Sequence, residues 1–212
     1  NMVALVDREP RVLNLKQILE AFVLHRREVV TRRTVYLLRR ARARGHTLEG
    51  LVVALSNIDS IIALIKASES ASVAREKLVS QPWHSENIVA MLERAGPDAV
   101  KPDEVGDQFG LKADGDYYLT EEQAQAILDM RLNRLTSMEQ DRLLEEYNEI
   151  VDTISELLHI LQDPIELLRL IREELIEVRD VYGDERKTEI IDSQEDLTME
   201  DLIQEQDMVV TL

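Results

Sequence analysis

A run of arginines is the feature of this sequence best suited to binding chemistry. Eight arginines and a single acid, Glu28, lie between Arg26 and Arg44. Guanidinium groups at this density bind either an external polyanion such as DNA or an acidic part of their own chain. The net charge is −17, and residues 51–212 carry 14 Lys+Arg against 37 Asp+Glu. The acidic excess favours intramolecular pairing of the arginines, with contact to DNA as the alternative.

The other polar residues do not form a recognisable catalytic or ligand-binding pattern. The four histidines are scattered and share no i,i+4 pair, so we expect no metal site. The acidic loop from Asp107 to Asp116 lacks the alternating ligands of a calcium loop, and no phosphate-binding Gly-x4-Gly-Lys motif occurs. Adjacent carboxylates such as Glu173 and Glu174 point to different helix faces. The sequence therefore predicts no catalytic, metal-ligating or cofactor-binding residue in this chain.

The composition predicts that long helices position these residues. The 212 residues include 7 Gly, 5 Pro and 4% aromatics, which is unlike a β-barrel or β-sandwich. Cysteine is absent, which excludes disulfides and thiolate metal sites and favours a reducing compartment. No apolar run approaches the ~20 residues of a membrane span. We therefore expect a mainly α protein without a membrane partner.

Two heptad-bearing helices, far apart in sequence, predict a coiled-coil arm. The first follows the N-cap Asn14, runs from Leu15 to Arg44 and stops at Gly45. The second is flanked by acids and continues after the helix-start signal Asp163-Pro164. The first seam is expected to contain Leu15, Phe22, Val29, Tyr36 and Ala43, beside Val30, Thr34, Leu37 and Ala41, and the second Leu143, Tyr147, Ile150, Ile154, Leu157 and Leu161. Opposite flanking charges favour antiparallel pairing within one chain.

The predicted fold is mainly α, with a long antiparallel coiled-coil arm, a small helical globular tip and short β segments at both chain ends. The expected boundaries are a hairpin at 1–14, a descending helix at 15–46, a tip at 47–138 with an insertion at about 83–116, ascending helices at 139–182 and a return segment at 183–212. Apolar runs at 2–6 and 208–212 indicate that both ends continue into a longer polypeptide.

The helix predicted from Glu121 to about Leu135 is the expected contact surface of the tip. It follows a capping box formed by Thr120 and Gln123, and its small residues allow a second helix backbone to approach closely. Symmetric pairing through this helix gives a homodimer, and the alternative is packing inside the tip. The residues expected at the dimer interface are Thr120, Gln123, Ala124, Ala126, Ile127, Leu128 and Arg131.

Several stretches resemble one known family. The run Tyr117–Leu132 contains the motif Gln-Ala-x-Ala-Ile-Leu-x-Met-Arg-Leu, and residues 22–34, 90–96, 171–175 and 186–190 agree as well. Together they resemble the A subunit of bacterial DNA gyrase, a type IIA topoisomerase. Topoisomerase IV has a similar subunit, and the insertion from Trp83 to Asp116 favours gyrase over it.

The resemblance implies the coiled-coil arm and exit gate, or C-gate, of the A-subunit dimer. It further implies a heterotetramer of two A and two B subunits that supercoils double-stranded DNA in the bacterial cytoplasm, associated with the nucleoid. ATP and magnesium are implied for the whole enzyme, and no cofactor for this stretch. The catalytic tyrosine of the family lies in an Arg-Tyr-Thr context. The tyrosines here, which are Tyr36, Tyr117, Tyr118, Tyr147 and Tyr182, lie outside that context.

Two other functions remain possible from the sequence. The stretch from Arg26 to Arg44 could be an autonomous DNA-binding arm, which predicts salt-sensitive DNA binding. Alternatively, the chain could be a coiled-coil scaffold unrelated to topoisomerases.

Overall fold

The computed structural model describes residues 2–6, 8–84, 100–112, 114–131 and 137–189, and the chain divides into two compact units, 1–174 and 175–212. The helices are α1 (Leu15–Ser56), α2 (Ile58–Lys66), α3 (Ala71–Ser80), α4 (Glu121–Leu128), α5 (Ser137–Gln162) and α6 (Pro164–Tyr182). The strands are β1 (Met2–Val6), β2 (Glu9–Leu13), β3 (Trp83–His84), β4 (Gly110–Leu111) and β5 (Asp116–Tyr118).

The mainly α prediction is confirmed, as is the hairpin β1–β2. The sequence also predicts a helix over 86–95, and both this helix and the predicted C-terminal strand over 208–212 lie outside the described residues.

Helix α1 is longer than the sequence predicted. Its start is confirmed, because Asn14 Oδ1 accepts from the Gln17 backbone N–H and Gln17 Oε1 accepts from that of Asn14, both at 2.9 Å. The predicted stop at Gly45 is wrong, since the helix continues through it to Ser56. A Cβ at Gly45 would lie 2.7 Å from Val100 Cγ1. The glycine therefore serves close packing rather than helix termination.

Helix α5 packs antiparallel along α1, as predicted. Its seam residues Leu143, Tyr147 and Ile154 are buried. Ion pairs fix the direction, because Arg44 near the tip contacts Glu146, whereas Arg26, earlier in α1, contacts Glu174 at 2.7 Å. Pairing in reverse sequence order defines an antiparallel arm.

The predicted seam of α1 is wrong for its seven-residue row and largely right for the row beside it. The residues expected at seven-residue intervals are exposed, including Leu15, Phe22, Val29 and Tyr36. The buried stripe instead consists of Val30, Thr34, Leu38, Ala41 and Gly45. Thr34 is tolerated inside because its hydroxyl donates to the Val30 carbonyl at 2.8 Å. Val30, Thr34 and Ala41 belong to the predicted second row, whereas Leu38 is buried in place of the exposed Leu37.

The tip is built from the last part of α1, helices α2 to α4 and a small sheet. The sheet has the order β3-β5-β4, and all its pairings are antiparallel. Trp83 anchors β3, since its indole N–H donates to the Leu78 carbonyl at 2.9 Å. Tyr117 and Leu119 place the end of the sheet in the same core as α1 and α4. The sequence predicts no strand in this stretch, because strands of two or three residues leave no alternation to read.

Glu174 is expected to be the most important ion-pairing residue of the arm. It is 23% exposed and accepts from both Arg26 and Arg33 of α1. Glu174→Gln should lower the free energy of unfolding by about 1–3 kcal/mol, because a carboxylate bridging two guanidiniums is replaced by a neutral amide. Urea denaturation measures this change. Glu173→Gln is the control, since Glu173 pairs only with Arg169 of its own helix, and an equal loss there would contradict the interpretation.

Candidate dimer-contact surface at the tip

Helix α4 lies directly against α1 within the chain. Thr120 caps α4, and the predicted capping box is confirmed, because Thr120 Oγ1 accepts from the Gln123 N–H at 3.3 Å and Gln123 Oε1 accepts from the Thr120 N–H at 3.0 Å. A Cβ at Gly50 of α1 would lie 2.6 Å from Gln123 Cγ. Two helices of the tip, α1 and α4, therefore approach closely within the chain.

Gln123 is the centre of a buried polar network. Only 1% of it is exposed, and its side-chain nitrogen donates to the His46 carbonyl at 2.7 Å and to Tyr117 Oη at 2.8 Å. With Oε1 committed to the Thr120 N–H, the amide orientation is fixed. This network joins α1, α4 and β5 through specific polar contacts.

His46 is held as a neutral imidazole in this network. Its Nδ1 lies 3.2 Å from the Gln123 amide nitrogen, which is a donor group, so a proton on Nδ1 would face another donor and Nδ1 is unprotonated. Nε2 then carries the proton and donates to Thr120 Oγ1 at 3.0 Å. Burial lowers the pKa of His46 to about 4. The imidazole is thus a structural group at neutral pH.

Two tyrosines next to the network are equally unsuited to titration. Burial, followed by the nearby Glu49 carboxylate, raises the pKa of Tyr117 well above its usual value. The same two causes raise the pKa of Tyr147. Both hydroxyls therefore stay protonated, and neither is activated as a nucleophile.

The structure divides the predicted interface residues into two groups. Thr120, Gln123, Ala124 and Ile127 are buried in the core of their own chain, as the alternative of packing inside the tip predicts. Ala126 and Leu128 are partly exposed and Arg131 is exposed. In this conformation only these three of the seven can offer surface to a second chain.

Ala126 and Arg131 border a groove that the sequence did not reveal. The groove has a volume of about 600 Å³ and lies between α4, α1 and the start of α5. Its wall carries Arg44 and Arg131 together with Asp129 and Glu139, around the apolar Met130. A surface with both charges side by side can meet a second copy of itself across a two-fold axis.

A histidine–carboxylate cluster lies where α5 gives way to α6. Ligand atoms of His159, Asp163 and Glu166 all lie within 4.8 Å of one another. Spacing between histidines does not predict this proximity, because two of the three residues are acids. Asp163 is confirmed as the cap of α6, accepting from the Ile165 N–H at 2.8 Å, and Glu166 holds Arg169 at 2.7 Å. Because both carboxylates have partners, we interpret the cluster as a helix junction.

The arginine run is only partly used within the chain. Arg26, Arg33 and Arg44 pair with acids of α5 and α6, and Arg42 pairs with Asp103 at 2.8 Å. The prediction of intramolecular pairing is confirmed for these four. Other arginines of the run face outward from the arm.

The arm and tip together form a coiled-coil pair joined to a small helical core. The chain matches the family described as DNA gyrase/topoisomerase IV, A subunit, over residues 1–176, and it belongs to this family. It is 58% identical over 212 residues to the DNA gyrase A subunit of Pseudomonas aeruginosa, 55% to that of Aeromonas salmonicida and 54% to that of Escherichia coli K12. Each alignment covers 100% of the chain and 23% or 24% of the relative, so the chain spans about a quarter of their length.

Within the described residues, no single helix is both long and apolar enough to cross a bilayer. Helices α1 and α2 meet the length and composition requirement only when joined across their 88° bend.

Proposed function

We propose that this chain is the exit-gate, or C-gate, dimerisation region of a DNA gyrase A subunit. The arm would carry the tip away from the site of DNA cleavage, and paired tips would part to release a transported duplex. No residue of the chain is assigned a catalytic role. The corresponding region of topoisomerase IV is the alternative, because the matched family includes both enzymes.

The wider activity is proposed on family membership. It comprises ATP-dependent negative supercoiling of double-stranded DNA by two A and two B subunits, with ATP and magnesium bound outside this chain, in the bacterial cytoplasm at the nucleoid. The named relatives are gyrase A subunits over the full length of the chain, which supports this assignment.

The groove beside α4 is the observation that carries the dimer proposal. Its rim includes Ala126 and Arg131 from the predicted interface, and Arg131 has no ion-pair partner among the described residues. A guanidinium beside Asp129 and Glu139 gives a self-complementary charge pattern, as an isologous contact requires. A second copy of the chain is therefore the occupant that fits.

Ala126→Glu should convert the dimer to a monomer. The substitution places two unpaired carboxylates near the two-fold axis, which should raise the dimer dissociation constant at least about 100-fold. Light scattering after size exclusion reports the mass, expected at twice 24.4 kDa for the unmodified chain. Ala71→Glu on α3 is the matched control and should remain dimeric. A strictly monomeric unmodified chain at high concentration would contradict the proposal.

A charge exchange tests the self-complementary pattern separately. Arg131→Glu should weaken the dimer, and the double variant Asp129→Arg/Arg131→Asp should restore it, because each surface again carries both signs. If the double variant is as weak as the single one, the two-fold does not lie at this groove.

A further inference from the structure

One face of α1 remains strongly basic after the arm has formed. Residues 29–48 contain six arginines and no acid, although the chain as a whole carries −17. Arg33, Arg42 and Arg44 are used in ion pairs to other elements. The remaining three, which are Arg32, Arg39 and Arg40, are exposed.

These three arginines share a face that points away from the partner helix. The buried stripe runs through Thr34 and Leu38, whereas Tyr36, on the opposite side of the same turns, is 62% exposed. Arg32, Arg39 and Arg40 surround Tyr36 at helical spacings of four, three and four residues. We call Arg32, Tyr36, Arg39 and Arg40 the outer basic face.

The outer basic face has little internal neutralisation. Arg32 makes an exposed ion pair with Glu28 at 3.3 Å, a contact of small energetic value. Arg39 and Arg40 have no acidic partner among the described residues. An arm formed only for stability would gain nothing from two adjacent unpaired guanidiniums in an acidic protein.

The spacing of the face suits duplex DNA. Arg32 and Arg39 are seven residues apart, which is about 10 Å along a helix and equals about three phosphate steps of one DNA strand. Arginine and tyrosine side chains are common donors to phosphate oxygens. A face with these donors and no acid beyond Glu28 recognises backbone charge without reading base sequence.

We propose that the outer basic face binds the phosphate backbone of double-stranded DNA. The inference rests on the proposed function in one respect, which is that the bound duplex is the one that passes along the arm. Binding by this face is weak and sequence-independent, because the acidic remainder of the chain opposes it, and such binding suits a segment that must leave.

Fluorescence anisotropy with a labelled duplex of about 30 base pairs tests the proposal in buffers from about 25 to 200 mM salt. We expect salt-sensitive binding, and Arg39→Ala/Arg40→Ala should raise the dissociation constant about tenfold and reduce the salt slope by about 2. The control Lys66→Ala/Lys77→Ala removes the same charge from exposed lysines of α2 and α3 and should bind like the unmodified chain. No binding at the lowest salt, or equal loss in both double variants, would overturn the proposal.

Photocrosslinking locates the contact independently of affinity. The benzophenone amino acid placed by Tyr36→p-benzoylphenylalanine should crosslink to the duplex, and the same group at Met138, which is 84% exposed, should not. Crosslinking from both positions would overturn the assignment. Complete displacement of the DNA by polyglutamate at equal charge would also overturn it, because it would indicate an acidic protein partner. If the chain binds DNA but does not dimerise, the DNA-binding proposal stands and the proposed exit-gate function fails. If the chain dimerises but does not bind DNA, the exit-gate function stands and the DNA-binding proposal fails.

Discussion

Replacing Gln123 by alanine is expected to lower the free energy of unfolding by about 3–5 kcal/mol, a larger loss than that expected from Glu174→Gln. The change leaves the buried Thr120 N–H without its side-chain acceptor and removes one hydrogen bond each from the His46 carbonyl and the Tyr117 hydroxyl. Each unsatisfied buried group costs about 1–3 kcal/mol, and the removed side chain also leaves a cavity against Gly50. Urea denaturation followed by circular dichroism measures the loss.

Two further variants separate the hydrogen bonds from packing. Gln125→Ala lies on the same helix, but Gln125 is exposed and bonds only Asp129, so its effect should stay within about 0.5 kcal/mol. Gln123→Met keeps the volume and removes the polar atoms, and it should remain almost as unstable as the alanine variant. If Gln123→Met restores stability, packing rather than hydrogen bonding explains the loss.

The features that could be predicted from the sequence are those determined by near neighbours. The caps Asn14, Thr120 and Asp163 are all present, because each binds a backbone N–H two or three residues ahead. The predicted α5 seam was also correct, since Leu143, Tyr147 and Ile154 are large apolar residues at regular spacing. Local hydrogen bonding and side-chain type suffice for such features.

The features that could not be predicted depend on residues far apart in sequence. Gly45 looks like a helix stop until Val100 is known to lie against it. Gln123 looks like an ordinary capping residue, yet its amide contacts His46, 77 residues away. The seven-residue row of α1 was misleading, because the row beside it, with Val30, Thr34 and Ala41, is the one that is buried. Which face of a helix is buried is decided by its partner, and apolar spacing alone leaves two registers open.

The network also predicts how stability depends on pH. The folded state holds His46 with a pKa of about 4, below the usual 6.5, because burial disfavours the charged ring. As the pH falls below about 6.5, the unfolded chain therefore binds a proton at His46 that the folded chain does not bind. The contribution of His46 to the stability of the fold is complete above that pH and is lost progressively down to about pH 4. Between pH 7 and 5 the expected loss is about 1–2 kcal/mol.

Urea denaturation at a series of pH values measures this dependence. His46→Gln should reduce the slope between pH 7 and 5, whatever its effect on stability at pH 7, because no titrating group then occupies the site. His25→Gln removes an exposed histidine of α1 and should leave the slope as it is. In the folded tip, a protonated Nδ1 would face the Gln123 amide donor at 3.2 Å, so charging the ring forces two donors together. If the slope of His46→Gln is unchanged, the His46 ring does not make this contact. The neutral tautomer assigned to His46 would then be wrong as well.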